Sequence, residues 1–228
     1  MEKSSTKQKT EKRGLKETCV RVVILLAGLT IAHLGVTLFL LADLGADPFN
    51  VLVQGVFRTV QGITGWKMLT HGYTHVAISV LIILVLLVAD KSYIKIGTLL
   101  CMVCGGPIID FFTALLSFFF ETERVFSVKL AVLAIGCVIL AFGMTIVMKS
   151  DAGVGPNDLV AVVLSDKLKK KFSIVRIVVD VSFVVIGFLL GGSVGIGTIV
   201  CACLVGPVAG FFLPYNEKMV AFLLKKTT

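Results

Sequence analysis

Charge is what this chain has least of. Asp, Glu, Lys and Arg make up 16% of its 228 residues, against about 25% in soluble domains. With a mean hydropathy of +0.99, a water-exposed globular fold is excluded. Histidine is nearly absent, with only His33, His71 and His75. The last two stand one helical turn apart, but no third ligand accompanies them, so no metal site is expected. The chain has no Gly-x-x-x-x-Gly-Lys-[Ser/Thr] loop, no Gly-x-Ser-x-Gly elbow, no zinc-protease helix and no kinase signature. Neither an enzyme nor a cofactor is expected.

Six cysteines are present, at 19, 101, 104, 137, 201 and 203, all in or beside apolar stretches. Cys101-x-x-Cys104 has a redox or metal spacing but lacks a partner set. Small thiols packed between helices are the expectation, with no disulfide framework. The net charge of +8 comes from cations flanking apolar runs. It reads as membrane orientation rather than as a nucleic-acid footprint.

What is abundant is long hydrophobic runs. A bilayer core of about 30 Å needs about 20 apolar residues per helix. Six stretches qualify: 20–42, 67–89, 96–120, 125–149, 172–191 and 196–214. The first is longer than a signal-peptide core of about 7–15 residues and has no clean small-residue cleavage site, so it reads as an uncleaved helix. Two shorter segments, 48–61 and 156–170, are amphipathic, the first with Asn50, Gln54, Arg58 and Gln61 on one stripe.

If the N-terminus is cytoplasmic and the short segments do not cross, seventeen cations lie inside and four outside. That bias puts both termini in the cytoplasm. The organisation expected is a charged cytoplasmic arm at 1–19, membrane units at 20–120 and 125–214, and a cytoplasmic tail at 215–228.

The two units are copies. Gly45-Ala46-Asp47-Pro48-Phe49-Asn50 is answered by Gly153-Val154-Gly155-Pro156-Asn157-Asp158, 108 residues on. Gly97-Thr98, Cys101, Gly106-Pro107 and Phe111-Phe112 are answered 100 residues on by Gly197-Thr198, Cys201, Gly206-Pro207 and Phe211-Phe212. Three spans per copy is an odd number, so the second copy inserts upside down relative to the first. Secondary transporters are commonly built this way around a midplane site.

Asp47-Pro48 and Gly155-Pro156 read as helix starts, with proline at the first helical position and Asp47 as cap. Such a start in the membrane offers amides to an anionic group. The bland alternative is a re-entrant or interfacial helix whose caps serve only its own backbone. The glycine–proline pairs near 106 and 206 put a break in each third span. Gly187-x-x-x-Gly191 and Gly206-x-x-x-Gly210 permit close helix contact. Asp110, Arg176 and Asp180 are ionisable residues within spans, which ordinarily face a cavity or a partner. Arg176 and Asp180, at i and i+4, can neutralise each other on one face.

At the two signatures, with Gly45 through Gly55, Gly97-Thr98 and Gly106-Pro107-Ile108-Ile109-Asp110, the chain resembles the YczE/YyaS/YitT group of bacterial integral membrane proteins. It is most similar to the YczE-like branch, whose first signature usually reads Gly-x-x-Pro-Trp-Asp-Val-Leu. Phe49 and Asn50 stand here for the tryptophan and aspartate, whereas the second copy keeps an acid, Asp158. The resemblance spans about residues 20–215 and implies a bacterial plasma-membrane protein.

The expectation is therefore an all-α polytopic membrane protein with six spanning helices in two inverted repeats, each with a short amphipathic helix. The function expected is a secondary transporter or permease for a small solute, an anionic one included. Asp47, Asn50, Gln54, Asn157, Asp158 and Arg176 would bind the solute, and Asp110 and Asp180 would couple an ion. The alternative is a non-transporting scaffold whose arm engages a cytoplasmic partner or anionic lipid. Besides the bilayer, partners would be the solute or ion and anionic lipid at the cytoplasmic face, with room for an oligomer.

Overall fold

The computed structural model describes residues 14–45, 47–66, 69, 71–120 and 125–227, without the side chains of 71, 72, 89, 110 and 227. The cations of the arm up to Arg13, together with Lys67 and Arg124, lie outside the described residues. Everything described is helix, turn or loop. In order the helices are α1 (Leu15–Ala42), α2 (Pro48–Thr64), α3 (His71–Ala89), α4 (Ile96–Leu116), α5 (Phe126–Ser150), α6 (Pro156–Leu168), α7 (Phe172–Leu189) and α8 (Ile196–Thr227). Short 3₁₀ turns cover Lys91–Tyr93 and Ser117–Phe120. Five helices, α1, α4, α5, α7 and α8, are long and apolar enough to cross a membrane, and α3 contributes a shorter apolar stretch, Tyr73–Val88.

Small residues decide the centre of the bundle. Helices α1 and α5 cross where a Cβ added to Gly35 would stand 2.6 Å from the Gly136 carbonyl oxygen and 2.8 Å from Leu140 Cα. Gly143 is equally tight, 2.7 Å from the Gly28 carbonyl oxygen and from Ala32 Cα. Backbones approach this closely only where side chains are missing. Gly35→Val should therefore cost about 1–3 kcal/mol or more by overpacking, measured as a lower melting temperature of the purified protein.

Helix α2 packs on α7 by the same means, with Gly187 against the backbone of Val51 and Gly55 against Gly187. Gly191 does not share in this contact. It has a positive φ of 88° in the turn after α7, with nothing near its Cβ position.

Three boundaries differ from expectation. Helix α1 begins at Leu15, inside the segment assigned to the arm, and an Arg21–Glu17 pair at 2.7 Å supports its first turns. The Gly-Pro pairs do not break α4 or α8, because Pro107 and Pro207 sit inside continuous helices. Each proline forfeits one backbone bond, and the rest of the ladder carries the helix through.

Finally, α8 runs past Pro214 to Thr227, through the segment expected as a tail. Tertiary contacts hold it there. Asn216, 2% exposed, donates to Thr145 Oγ1 at 2.6 Å and to the Phe142 carbonyl at 3.1 Å, and Lys149 pairs with Glu217 at 2.5 Å.

The halves also differ in one contact. A Cβ on Gly206 would meet the Ser173 carbonyl at 2.8 Å, and Gly210 lies against the Ser173 side chain, so α8 closes on α7. A Cβ on Gly106 would meet nothing within 4 Å among the described residues, and Asp110 occupies the place corresponding to Gly210. No comparable packing joins α3 to α4 among the described residues.

Candidate functional site

Proline and capping chemistry start both short helices where expected. Pro48 opens α2, and the Asp47 carboxylate accepts from the Asn50 backbone N–H at 3.3 Å and from Asn50 Nδ2 at 2.5 Å. Pro156 opens α6 after Gly155, and Asn157 Nδ2 donates to Asp158 Oδ1 at 3.1 Å. Asp158 is the acid of that first turn, where the helix dipole favours it.

Helix α7 brings the cation. Arg176 Nη1 donates to Asp158 Oδ1, and Arg176 Nε donates to Asp180 Oδ2 at 2.8 Å. The side chains of Arg176 and Asp180 are 9% and 1% exposed. One guanidinium thus joins α6 to α7 and satisfies carboxylates on both. Such pairs survive burial only when well hydrogen-bonded, and this one is nearly complete. Asp180 Oδ1 is the exception: it is buried without a hydrogen-bond partner among the described residues. Asp47 and Asp158 both lie within electrostatic range of Asp180, and Asp158 within range of His33. His33 donates through Nδ1 to the Leu29 carbonyl at 2.8 Å, and its Nε2 faces Gly105 on α4.

Aromatic rings stand beside the acids. Phe49, two residues after Asp47, packs against Phe183 at 5.6 Å between centroids and edge-on against His75 at 5.1 Å. Phe183 follows Asp180 by three residues, on the same face of α7.

The structure therefore gathers Asp158, Arg176 and Asp180 directly. Asn157 joins them by its bond to Asp158, and Asp47 joins by electrostatic range with Asn50 on its cap. It does not bring Gln54. Gln54 Oε1 instead accepts from the Ser193 backbone N–H at 2.7 Å, Arg58 donates to the Gly191 carbonyl, also at 2.7 Å, and Thr59 donates to the Leu190 carbonyl at 2.8 Å. The polar stripe of α2 is a clamp on the α7–α8 turn, which carries backbone acceptors that need partners. Asp110 lies in α4, and its side chain is outside the described residues. The six cysteines are free thiols.

A second ionic cluster was not legible beforehand. Asp151 ends α5 in a left-handed conformation, φ 56°. Its carboxylate pairs with Lys95 Nζ and lies 3.9 Å from Arg21, while Arg21 also donates to the Ser150 carbonyl at 2.9 Å. Asp43 ends α1 with the same geometry, φ 51°, but has no ion pair among the described residues. Nearby, Tyr93 donates to Asp166 at 3.2 Å. Burial, and then the Asp166 charge, push the Tyr93 phenol up to about 12. Unfolded tyrosine titrates near 10, so the folded state holds the extra proton and stability should fall as pH rises from about 10 to 12. An ultraviolet titration of Asp166→Asn should bring Tyr93 ionisation to lower pH.

Comparison with known proteins places these features in a family. Residues 19–214 match the model of DUF6198, a family of unknown function. YczE of Bacillus subtilis (strain 168), described as an uncharacterized membrane protein, is 26% identical over 214 residues, 93% of this chain and 94% of that protein. An uncharacterized protein of Haemophilus influenzae is 29% identical over 192 residues, 84% of this chain and 83% of that protein. YyaS of B. subtilis is 27% identical over 192 residues, covering 84% and 91%. No solved structure matches. With its apolar helices, its buried Arg176 bridge and a match over most of its length, the chain belongs to the DUF6198 family and is a helical, multi-pass membrane protein related to YczE and YyaS.

Proposed function

We propose that the protein is a secondary transporter built from two inverted repeats, α1–α4 and α5–α8, with its site where α7 packs against α6 and α2. Matching positions support the repeat. Asp43 and Asp151 end α1 and α5 in the same left-handed conformation, and Gly45 and Gly153 follow with φ 129° and 148°. The Gly197 N–H donates to the Leu44 carbonyl and the Gly97 N–H to the Ala152 carbonyl, each at 2.9 Å. Each repeat thus holds the other through the same bond. Counting α3 as the sixth span gives each repeat an odd number, and the positive-inside bias then puts both termini in the cytoplasm. The location is the bacterial plasma membrane.

One observation carries the transport reading. Three ionisable side chains on two helices, Asp158, Arg176 and Asp180, are drawn together among apolar spans, and one carboxylate oxygen has no partner among the described residues. Intramembrane charges are costly and mark solute or ion pathways. Arg176 is already held by two carboxylates, so the charge balance turns the proposal away from an anionic solute and toward a cation or proton. No enzymatic step is proposed. The scaffold alternative rests only on the cationic arm, whose residues up to Arg13 are outside the described set.

The test is flux in proteoliposomes across an imposed proton or cation gradient. Asp158→Asn weakens one charge-assisted bond to Arg176, about 1.5–3 kcal/mol, and should slow flux about tenfold to a hundredfold without lowering the reconstituted amount. Unchanged flux in that variant would exclude the site.

A further inference from the structure

Two carboxylates, Asp158 and Asp180, share a single guanidinium in the interior of the bundle, and Asp47 lies within electrostatic range of Asp180. Unless something neutralises it, that group carries an excess of negative charge where water is scarce. Asp180 sharpens the point. Its side chain is 1% exposed, one oxygen is satisfied by Arg176 and the other has no donor among the described residues.

Asp158 and Asp180 stand on α6 and α7, and Asp47 caps the start of α2. Among the described residues no three acidic, histidine or cysteine groups converge as metal ligands. A compact ion needs that convergence. An ammonium group does not, because a single carboxylate oxygen is enough to accept a charge-assisted bond from it. The neighbouring side chains are apolar and aromatic. Phe49 follows the Asp47 cap, Phe183 lies one turn from Asp180, and the two rings pack together at 5.6 Å. Aromatic faces beside carboxylates attract organic cations.

We propose that this site binds a small organic ammonium ion, with Asp180 Oδ1 as its principal acceptor and the Phe49–Phe183 pair against its alkyl part. The proposal names the solute class for the transport reading above and rests on that reading only for movement across the membrane.

Isothermal titration of the purified full chain with propylammonium, and with propionate as the anionic control, tests it. Propylammonium should bind saturably and propionate should not. Asp180→Asn should weaken propylammonium binding about tenfold to a hundredfold, the size of one charge-assisted bond. Asp47→Asn should weaken it in the same direction, which covers the case in which Asp180→Asn does not fold. Gln54→Ala, which alters only the clamp on the α7–α8 turn, should leave affinity unchanged. Propionate binding in place of the amine, or folded wild-type protein that binds no amine and responds to pH alone, would overturn the proposal, the latter naming the proton as the sole cation. Binding without flux in proteoliposomes would leave this site standing and defeat the transport reading. Proton flux without amine binding would do the reverse.

Discussion

Replacing Arg176 with methionine should cost about 3–5 kcal/mol, the penalty for leaving buried carboxylates without their cation. Asp180 is almost wholly buried, and Arg176 supplies the donor that its Oδ2 accepts. Asp158, on another helix, loses its guanidinium in the same step. Against a total stability of about 5–15 kcal/mol, this is a large share of the whole and should lower the melting temperature substantially. A triple variant, Arg176→Met with Asp158→Asn and Asp180→Leu, removes the charges together and should recover much of the loss, since an apolar replacement of a buried ion group is often neutral or better. Melting temperatures of the purified proteins read both effects. An Arg176→Met protein that melts like the wild type would contradict the buried bridge.

The second large effect belongs to the two glycines after α1 and α5. Gly153 has φ 148°, and a Cβ there would stand 2.7 Å from the Gly97 carbonyl carbon. Gly45 has φ 129°, and its Cβ would stand 2.7 Å from Thr198 Oγ1 and 2.8 Å from Gly195 Cα. Backbone strain of about 1–3 kcal/mol adds to an overlap of about 1–3 kcal/mol. Gly153→Ala and Gly45→Ala should therefore each cost about 2–6 kcal/mol. Gly62→Ala is the control. Gly62 lies inside α2 with open space around it, and alanine there should be neutral or stabilise by up to about 1 kcal/mol. Comparable losses at 45 and 153 are expected because both glycines have a positive φ and similar close contacts at their two junctions. A loss at only one would mean that the junctions are not equivalent.

What could be read from the sequence was what local chemistry decides. Proline after a capping or flexible residue located both short-helix starts, at Pro48 and Pro156. One-turn spacing found the Arg176–Asp180 pair. The partnership of Arg176 with Asp158, across 18 residues, singled out residues already suspected but was not itself visible, because it depends on how α6 settles on α7.

Longer connections were harder. Gln54 looked like a site residue because it shares a face with Asn50. Its partner is Ser193, 139 residues away, and no periodicity encodes that. Helix α8 continues past Pro214 because Asn216 finds Thr145, 71 residues earlier, on α5. Lys95 and Asp151 carry no signal of their pairing beyond opposite charge.

The central claim is that the two halves insert in opposite senses around the Arg176 site, and a sidedness measurement tests it most directly. Single cysteines at Gly62, near the end of α2, and at Lys170, just after α6, would be placed in a variant lacking the six native cysteines. A membrane-impermeant thiol reagent would then be added to intact cells. The account predicts that the cysteine at 62 labels from outside and that the one at 170 labels only after permeabilisation. Labelling of both from the same side would contradict the inverted repeat and, with it, the site between its halves.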